Sequence, residues 1–230
     1  MDNVLDLRVT RRSGQEALAF RVNSLWNGGW AGRNQADVQK HVDELASHGI
    51  PAPTTVPIYF PLSNNMLTTS DAIQVITPET SGEIEYVLFF TEREVLVGVA
   101  SDHSDRGFER HGIQLSKQLY PDVMAPEVWP LDEVRDHWDR VELRCWVVAD
   151  GERRPYQDVT LAELLSADQW LEIVRREGLD RPGTAFLSGT PPTLAGLVYG
   201  SRFELELSDP VLGRALRHGY DVEVLPSGVQ

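Results

Sequence analysis

The stretch Ser81–Leu88 has the sequence SGEIEYVL and carries the clearest structural signal in this 230-residue chain. Apolar, aromatic and β-branched residues follow a Ser-Gly pair, which is typical of a β-strand that begins after a turn. Residues i and i+2 of a strand point to the same face, so Glu83 and Glu85 present two carboxylates side by side. Two such charges repel each other, which leaves either a solvated strand face or a site for a cation.

A second apolar run, Val95–Ala100, follows closely and leads into Asp102. We expect the two runs to form neighbouring strands and to bring Asp102 toward Glu83 and Glu85. Three converging carboxylates make a site of hard oxygen ligands, which suits Mg²⁺, Mn²⁺ or Ca²⁺ better than zinc.

The rest of the chain predicts more strands than helices. The predicted strands are Asp71–Ile76, Glu83–Phe90, Val95–Ala100, Glu142–Ala149, Thr184–Leu187, Phe203–Leu207 and Val222–Leu225. The predicted helices are a segment capped by Asn34 that runs to about His48, a short one over Leu131–His137, and one from Ser166 to Gly178, with a Pro-rich loop over Tyr120–Pro130. Strands and helices do not alternate regularly, so the pattern favours a mainly-β α+β fold, and no linker divides residues 1–230.

Composition excludes several classes of protein. A hydrophobic fraction of 41% and a charged fraction of 24% are those of a globular domain. The 21 basic and 35 acidic residues give 21 − 35 = −14, a charge that argues against nucleic-acid or membrane partners. The single cysteine, Cys145, excludes an internal disulfide, and the absence of a leader or a long apolar run predicts a cytoplasmic protein.

Two groups of residues beside these strands also have chemical potential. His41 and Glu44 lie three residues apart on the first predicted helix, where a carboxylate raises the basicity of an imidazole. A packed core histidine, or a zinc site that adds His48, are the alternatives, although a further zinc ligand of suitable spacing is missing. Arg106 and Lys117 are cations that offset the carboxylates or form ordinary ion pairs.

Several short motifs occur in an order that resembles the fumarylacetoacetate hydrolase superfamily, in a divergent bacterial branch. They are Gly32-Arg33-Asn34 before His41-x-x-Glu44, the pair Glu83-x-Glu85, Asp102 with Arg106 four residues later, Lys117, and the turn Ser188-Gly189-Thr190-Pro191. The resemblance implies one catalytic domain over residues 1–230, built as a mixed β-sheet roll with flanking helices. It also implies a homodimer.

The resemblance also implies roles for individual residues. Glu83, Glu85 and Asp102 match the positions that hold a divalent metal, Mg²⁺ or Mn²⁺, with Ca²⁺ as a further alternative. The implied catalytic residues are the water-activating dyad of His41 and Glu44 together with Lys117, and the implied substrate-binding residues are Arg106, Gly189 and Thr190.

The implied activity is that of a metal-dependent hydrolase. It would cleave a carbon–carbon bond in a small 1,3-dicarbonyl or 2-oxo acid substrate that resembles an acylpyruvate, through an enolate stabilised by the metal. A decarboxylase, hydratase or isomerase of an oxo acid on the same metal site is the first alternative. A binding protein that kept the fold without turnover is the second.

Overall fold

A computed structural model describes residues 2–34, 36, 38, 39 and 55–228. Within these residues the chain forms fifteen strands, two complete α-helices and the beginning of a further helix after Asn34. The strands are β1 (Val4–Arg11), β2 (Gly14–Arg21), β3 (Ser24–Gly29), β4 (Ile58–Leu62), β5 (Leu67–Thr68), β6 (Ala72–Val75), β7 (Thr80–Phe90), β8 (Val95–Asp105), β9 (Asp122–Met124), β10 (Glu127–Pro130), β11 (Glu142–Ala149), β12 (Glu152–Thr160), β13 (Thr184–Leu187), β14 (Arg202–Asp209) and β15 (Arg214–Val224). The helices are α1 (Ile113–Gln118) and α2 (Ala167–Arg176).

The larger sheet is mixed and has β7 and β8 at its centre. Its strand order is β2-β1-β10-β8-β7-β13-β3-β4, and β9 joins it beside β8 and carries β5. The central pair is antiparallel over eleven residues of each strand, from Thr80 opposite Asp105 to Phe90 opposite Val95. Both faces of this pair are buried, which explains why its apolar residues run almost without interruption.

The smaller sheet has the order β12-β11-β14-β15-β6 and packs against one face of the larger one. Alternate residues of β7 such as Ile84, Tyr86 and Leu88 share a core with Leu143 and Phe203 of the smaller sheet. The opposite face of β7 belongs to a second core, whose members include Val87, Phe89, Leu25, Leu67, Met124 and Leu187. The carboxylates of Glu83 and Glu85 lie on this second face, because they share the alternation of Val87.

The two helices pin loops to the sheets. Helix α2 begins with a capping box, in which the Ser166 side chain accepts from the Gln169 backbone N–H and the Gln169 side chain accepts from the Ser166 N–H. Its Trp170 is fully buried and donates its indole N–H to the Ser188 carbonyl at 3.1 Å. No helix in the described parts of the chain is both long and apolar enough to span a membrane.

The mainly-β fold class is confirmed, and so are most of the predicted strands. The interpretation of Tyr120–Pro130 as a loop is wrong, because it contains β9 and β10, which pair with β8. Strand β8 extends to Asp105, so Asp102 lies within the strand and not after it. The predicted helix over Leu131–His137 is a pair of 3₁₀ segments, Leu131–Glu133 and Arg135–Arg140.

The predicted helix after Asn34 is described only at its beginning. Ala36, Val38 and Gln39 are helical, and the Asn34 side-chain oxygen accepts from the Ala36 N–H at 3.2 Å, as expected of an N-cap. The positions of His41, Glu44 and His48 lie outside the described residues.

Candidate metal centre

The structure brings Glu83, Glu85 and Asp102 together. Glu83 of β7 lies directly opposite Asp102 of β8, and Glu85 is two residues further along the same face. One carboxylate oxygen from each residue lies within 4.8 Å of the others. Glu85 and Asp102 are fully buried, whereas the Glu83 side chain keeps 17% of its exposure. Solvent therefore reaches the triad from the side of Glu83.

Lys117 of helix α1 reaches into the triad. Its ammonium forms a short ion pair with Asp102 Oδ2 and lies 3.8 Å from Glu83 Oε2. The helix is anchored to β8 by Ser116, whose hydroxyl donates to the Asp105 carbonyl at 2.6 Å. Burial on its own would lower the pKa of Lys117, but the charges of Asp102, Glu83 and Glu85 raise it above its usual range. Lys117 is therefore a fixed positive charge.

Asp102 is the carboxylate most firmly held in its ionised form. Burial favours the neutral acid, but the charge of Lys117 and its hydrogen bond hold the pKa of Asp102 below its usual value. The Ser104 hydroxyl also donates to Asp102 Oδ1, at 3.0 Å.

Glu85 is held from the opposite side, by the turn after β13. The Gly189 N–H donates to Glu85 Oε2 at 2.7 Å, while Oε1 is buried without a hydrogen-bond partner among the described residues. Burial raises the pKa of Glu85 well above its usual value, and the neighbouring charges of Asp102 and Glu83 act in the same direction against Lys117. A cation beside Oε1 would satisfy that oxygen and favour the carboxylate.

Arg106 lies next to the triad but is already bound by protein groups. Its guanidinium contacts Glu83 at 3.1 Å, Glu109 at 2.5 Å and the Ser81 hydroxyl at 2.7 Å. Burial would lower its pKa, but Glu83 and Glu109 raise it above its usual range. A substrate anion at Arg106 would have to share or replace these contacts.

Thr190 belongs to the network behind the turn. Its hydroxyl donates to the Ile84 carbonyl at 3.0 Å and accepts from the Gln157 side chain at 2.8 Å. The Gly189 N–H is likewise bound to Glu85 in this structure. Substrate binding by Gly189 and Thr190 remains a prediction, as do the roles of the other sequence-selected residues.

Asp122 and Asn27 are site residues that the sequence interpretation missed. Both are fully buried, and none of their side-chain oxygen or nitrogen atoms has a hydrogen-bond partner of good geometry among the described residues. Burial and the charge of Asp102 raise the pKa of Asp122 well above its usual value, against the effects of Lys117 and the Asn27 amide. Asp122 begins strand β9, inside the segment that was predicted to be a loop. The apolar residues Val123–Ala125 that follow it were the one sequence feature that could have indicated a strand there.

The donor set fits a hard divalent cation. The carboxyl groups around the triad outnumber the cations; they are Glu83, Glu85, Asp102, Glu109 and Asp122 against Lys117 and Arg106. All the candidate ligand atoms of the triad are oxygens, which Mg²⁺ and Mn²⁺ prefer. The buried Glu85 Oε1, which has no hydrogen-bond partner among the described residues, is an oxygen that a cation would satisfy.

Residues 28–220 match a family model described as DUF2848, a protein of unknown function. The chain belongs to the DUF2848 family. No curated protein matches this DUF2848 chain. Among solved structures, 2-keto-3-deoxyarabinonate dehydratase in a hexagonal crystal form is similar, with a TM-score of 0.63, 16% identity, and coverage of 92% of this chain and 86% of the other.

Two further solved structures resemble the DUF2848 chain to a similar degree. One is 2-keto-3-deoxy-D-arabinonate dehydratase complexed with magnesium and 2,5-dioxopentanoate, at a TM-score of 0.60 and 15% identity, covering 95% of this chain and 79% of that one. The other is Cg1458 with an inhibitor, at 0.61 and 15%, covering 93% and 81%. The DUF2848 chain therefore has the fumarylacetoacetate-hydrolase-like fold that the sequence predicts.

Proposed function

We propose that this protein is a divalent-cation-dependent enzyme that acts on a 2-oxo acid or 1,3-dicarbonyl compound. The convergence of Glu83, Glu85 and Asp102 supports the proposal most directly, because these carboxylates lie in a buried site beside a fixed ammonium. They are the residues that would hold Mg²⁺ or Mn²⁺. A cation bound there supplies Lewis-acid stabilisation of the negative charge on an enolate oxygen.

Other residues around the triad would bind the substrate and hold the carboxylates in place. The raised pKa of Lys117 keeps its ammonium charged, so it can donate a hydrogen bond to an anionic substrate oxygen. Gly189 fixes Glu85 through its N–H, and Ser104 fixes Asp102 through its hydroxyl. Glu83 is the partly exposed member of the triad, so a substrate would approach the site from the side of Glu83.

The reaction we favour is hydrolytic cleavage of a carbon–carbon bond in a substrate that resembles an acylpyruvate. The oxygen of water forms a bond to the acyl carbon, the bond to the neighbouring carbon breaks, and its electron pair passes to the enolate, which then takes up a proton. His41, oriented by Glu44, is our candidate for the base that takes the proton of water.

Addition or removal of water without cleavage is the second candidate. It is supported by the fold shared with 2-keto-3-deoxyarabinonate dehydratase, one structure of which holds magnesium and 2,5-dioxopentanoate. The same enolate serves both reactions, so the groups around the triad do not discriminate between them.

A turnover screen tests the proposal. Chelator-treated protein would be incubated with Mg²⁺ or Mn²⁺ and with acylpyruvates, oxaloacetate and 2-keto-3-deoxy sugar acids, in water enriched in ¹⁸O. Mass spectrometry separates the outcomes: hydrolysis gives two fragments with one ¹⁸O incorporated, dehydration removes one water, and decarboxylation releases CO₂. We expect turnover that disappears with chelator and returns with added cation.

The matched variants are Glu83→Ala in the triad and Glu152→Ala, an exposed glutamate paired with Arg154. Glu83→Ala should abolish the cation-dependent turnover, whereas Glu152→Ala should leave it intact. Turnover that is indifferent to both chelator and Glu83→Ala would remove the triad from the mechanism. Cation binding without any turnover would favour the binding protein that kept the fold.

A further inference from the structure

Asp122 occupies an unusual position beside the triad. Strand β9 pairs with β8 so that Met124 lies opposite Ala100 and Val123 opposite Ser101. One more step of this register places Asp122 next to Asp102, which itself lies opposite Glu83. Three carboxyl groups therefore form a row across β7, β8 and β9, with Asp122 at its inner end.

The Asp122 carboxyl group lacks the contacts that a buried acid normally has. Its exposure is 0%, and neither of its oxygens has a hydrogen-bond partner of good geometry among the residues described, although the Asn27 amide is near enough to lower its pKa. Buried polar groups are almost always hydrogen-bonded, because an unpaired one loses its hydration without compensation. Such a group is an available acceptor for a donor that comes within reach.

Lys117 is the donor best placed to do so. Its ammonium contacts Asp102 and lies 3.8 Å from Glu83, so it stands among the oxygens that would otherwise surround a cation. A divalent ion on the triad would repel this ammonium and compete with it for Asp102. Asp122 is the register neighbour of Asp102, so the ammonium already lies against the residue beside Asp122.

The neighbouring acids are less suitable acceptors for a displaced ammonium. Glu109 is bound to Arg106, and Glu85 belongs to the triad and accepts from Gly189. Asp122 alone among these described acids has two oxygens without a hydrogen bond of good geometry. The Asn27 amide is close enough to lower the pKa of Asp122 and could hold one of these oxygens.

We infer that Asp122 is a positioning residue for Lys117, whose ammonium passes from Asp102 to Asp122 when a divalent cation occupies the triad. This inference rests on the proposed function, since it requires that the triad binds a cation. It gives Lys117 two positions: one that closes the site without a cation, and one that leaves it charged and beside the substrate.

A double-mutant cycle on Mn²⁺ affinity tests the inference without any substrate. Calorimetry would measure Mn²⁺ binding to the wild type, Asp122→Asn, Lys117→Met and the double variant. Asp122→Asn should weaken Mn²⁺ binding by about 10- to 100-fold when Lys117 is present, as expected for loss of a group that supports a metal ligand. In the Lys117→Met background the same substitution should change the affinity by only a few-fold.

The pattern separates this role from a simple attraction between Asp122 and the cation. Attraction alone would give an equal or larger loss in the Lys117→Met background, and that result would overturn the inference. Asp209→Asn is the matched control, because Asp209 is an equally buried aspartate that pairs with His137 elsewhere. It should leave Mn²⁺ affinity unchanged.

A crystal structure of the wild type with Mn²⁺ gives a second reading that does not depend on whether the variants fold. We expect Lys117 Nζ within hydrogen-bond distance of Asp122; an ammonium still on Asp102 beside a bound ion would refute the switch. Failure of the wild type to bind Mn²⁺ would overturn the proposed function together with this inference. Binding without coupling would overturn the inference alone.

Discussion

At the scale of single residues, Gly189 shows how closely the site depends on backbone. Its φ of +85° is a conformation that residues with a side chain rarely adopt, and a Cβ there would lie 2.9 Å from the Ala31 Cβ. Its N–H is also the hydrogen bond that fixes Glu85. Gly189 therefore sets both the backbone conformation of the turn and the position of the Glu85 carboxylate.

Gly189→Ala and Gly196→Ala form a matched pair that separates crowding from backbone strain. Gly196 has the same φ of +85°, but nothing lies within 4 Å of its Cβ position. Urea unfolding without added cation should show Gly189→Ala less stable than Gly196→Ala by about 1–3 kcal/mol, the usual cost of overpacking. Equal losses of unfolding free energy in the two variants would show that the turn at Gly189 can move to accommodate a Cβ, so that crowding against Ala31 does not affect stability.

The same pair makes a prediction for the site. Only Gly189→Ala should weaken Mn²⁺ binding, because only Gly189 holds a triad carboxylate. Calorimetric titration of both variants measures this directly, and unaltered affinity in Gly189→Ala would mean that the N–H does not orient Glu85.

At the scale of elements, the two faces of β8 have different tasks. Asp102 faces the triad, whereas the next residue, His103, faces the smaller sheet. The His103 ring is hydrogen-bonded to the Tyr220 and Thr80 hydroxyls at 3.0 Å each. This neutral, buried contact ties β8, the strand that carries Asp102, to β15 and so fixes the depth at which Asp102 lies.

The contribution of His103 to stability should therefore fall in mild acid. Burial, followed by the charge of Arg106, lowers the pKa of His103 from 6.5 to about 3, against the opposing charges of Asp102 and Asp105. The unfolded chain binds a proton at this histidine below pH 6.5 while the folded chain does not, so the contribution of His103 to the free energy of unfolding drops by about 1.4 kcal/mol per pH unit below 6.5 and levels off near pH 3.

The comparison with His103→Gln isolates this contribution, because glutamine can bond both hydroxyls but does not titrate. From pH 6.5 to pH 5 the stability advantage of the wild type over the variant should shrink by about 1.6 kcal/mol, as measured by urea unfolding. Parallel pH dependence of the two proteins would show that His103 is protonated in the fold.

The elements that could be predicted are those whose own sequence carries a strand or helix pattern. The apolar and aromatic run of Glu83–Phe90 predicts the strand, and the strand's period of two then predicts the shared face of Glu83 and Glu85. Strand β9 has only three residues, Asp122–Met124, in a short segment bounded by Pro121 and Pro126. It forms a strand because it pairs with β5 and β8, and its own sequence is too short to indicate one. Asp122 was missed for that reason.

Helix α1 was missed for a similar cause. Six residues are too few for a periodic pattern, and the helix is held by contacts to β4 and β8, such as that of Gln114 with the Pro61 carbonyl. Lys117 could be selected by its resemblance to a family motif, but its place among the triad depends on these tertiary contacts.

At the scale of the whole molecule, cation binding at the proposed site would be linked to folding. The triad carboxylates come from neighbouring strands of the larger sheet, so an unfolded chain does not present them together. Mn²⁺ at 100 times its dissociation constant should raise the free energy of unfolding by about 2.7 kcal/mol.

Thermal unfolding with Mn²⁺ and with excess chelator measures this shift. Glu83→Gln should lose most of the stabilisation, whereas Glu152→Gln, on the exposed hairpin of β11 and β12, should retain it. The same stabilisation in both variants would place the binding ion elsewhere on this acidic protein.

The position of β13 has a consequence for synthesis of the protein. This strand, Thr184–Leu187, sits between β7 and β3 and pairs with both. Strands β7 and β3 are synthesised earlier, and one edge of each stays unpaired until residue 187 has left the ribosome. Unpaired strand edges can pair with other chains. Nascent or prematurely ended chains that stop before this point should be the species that aggregate, and chaperone demand should drop sharply once it is passed.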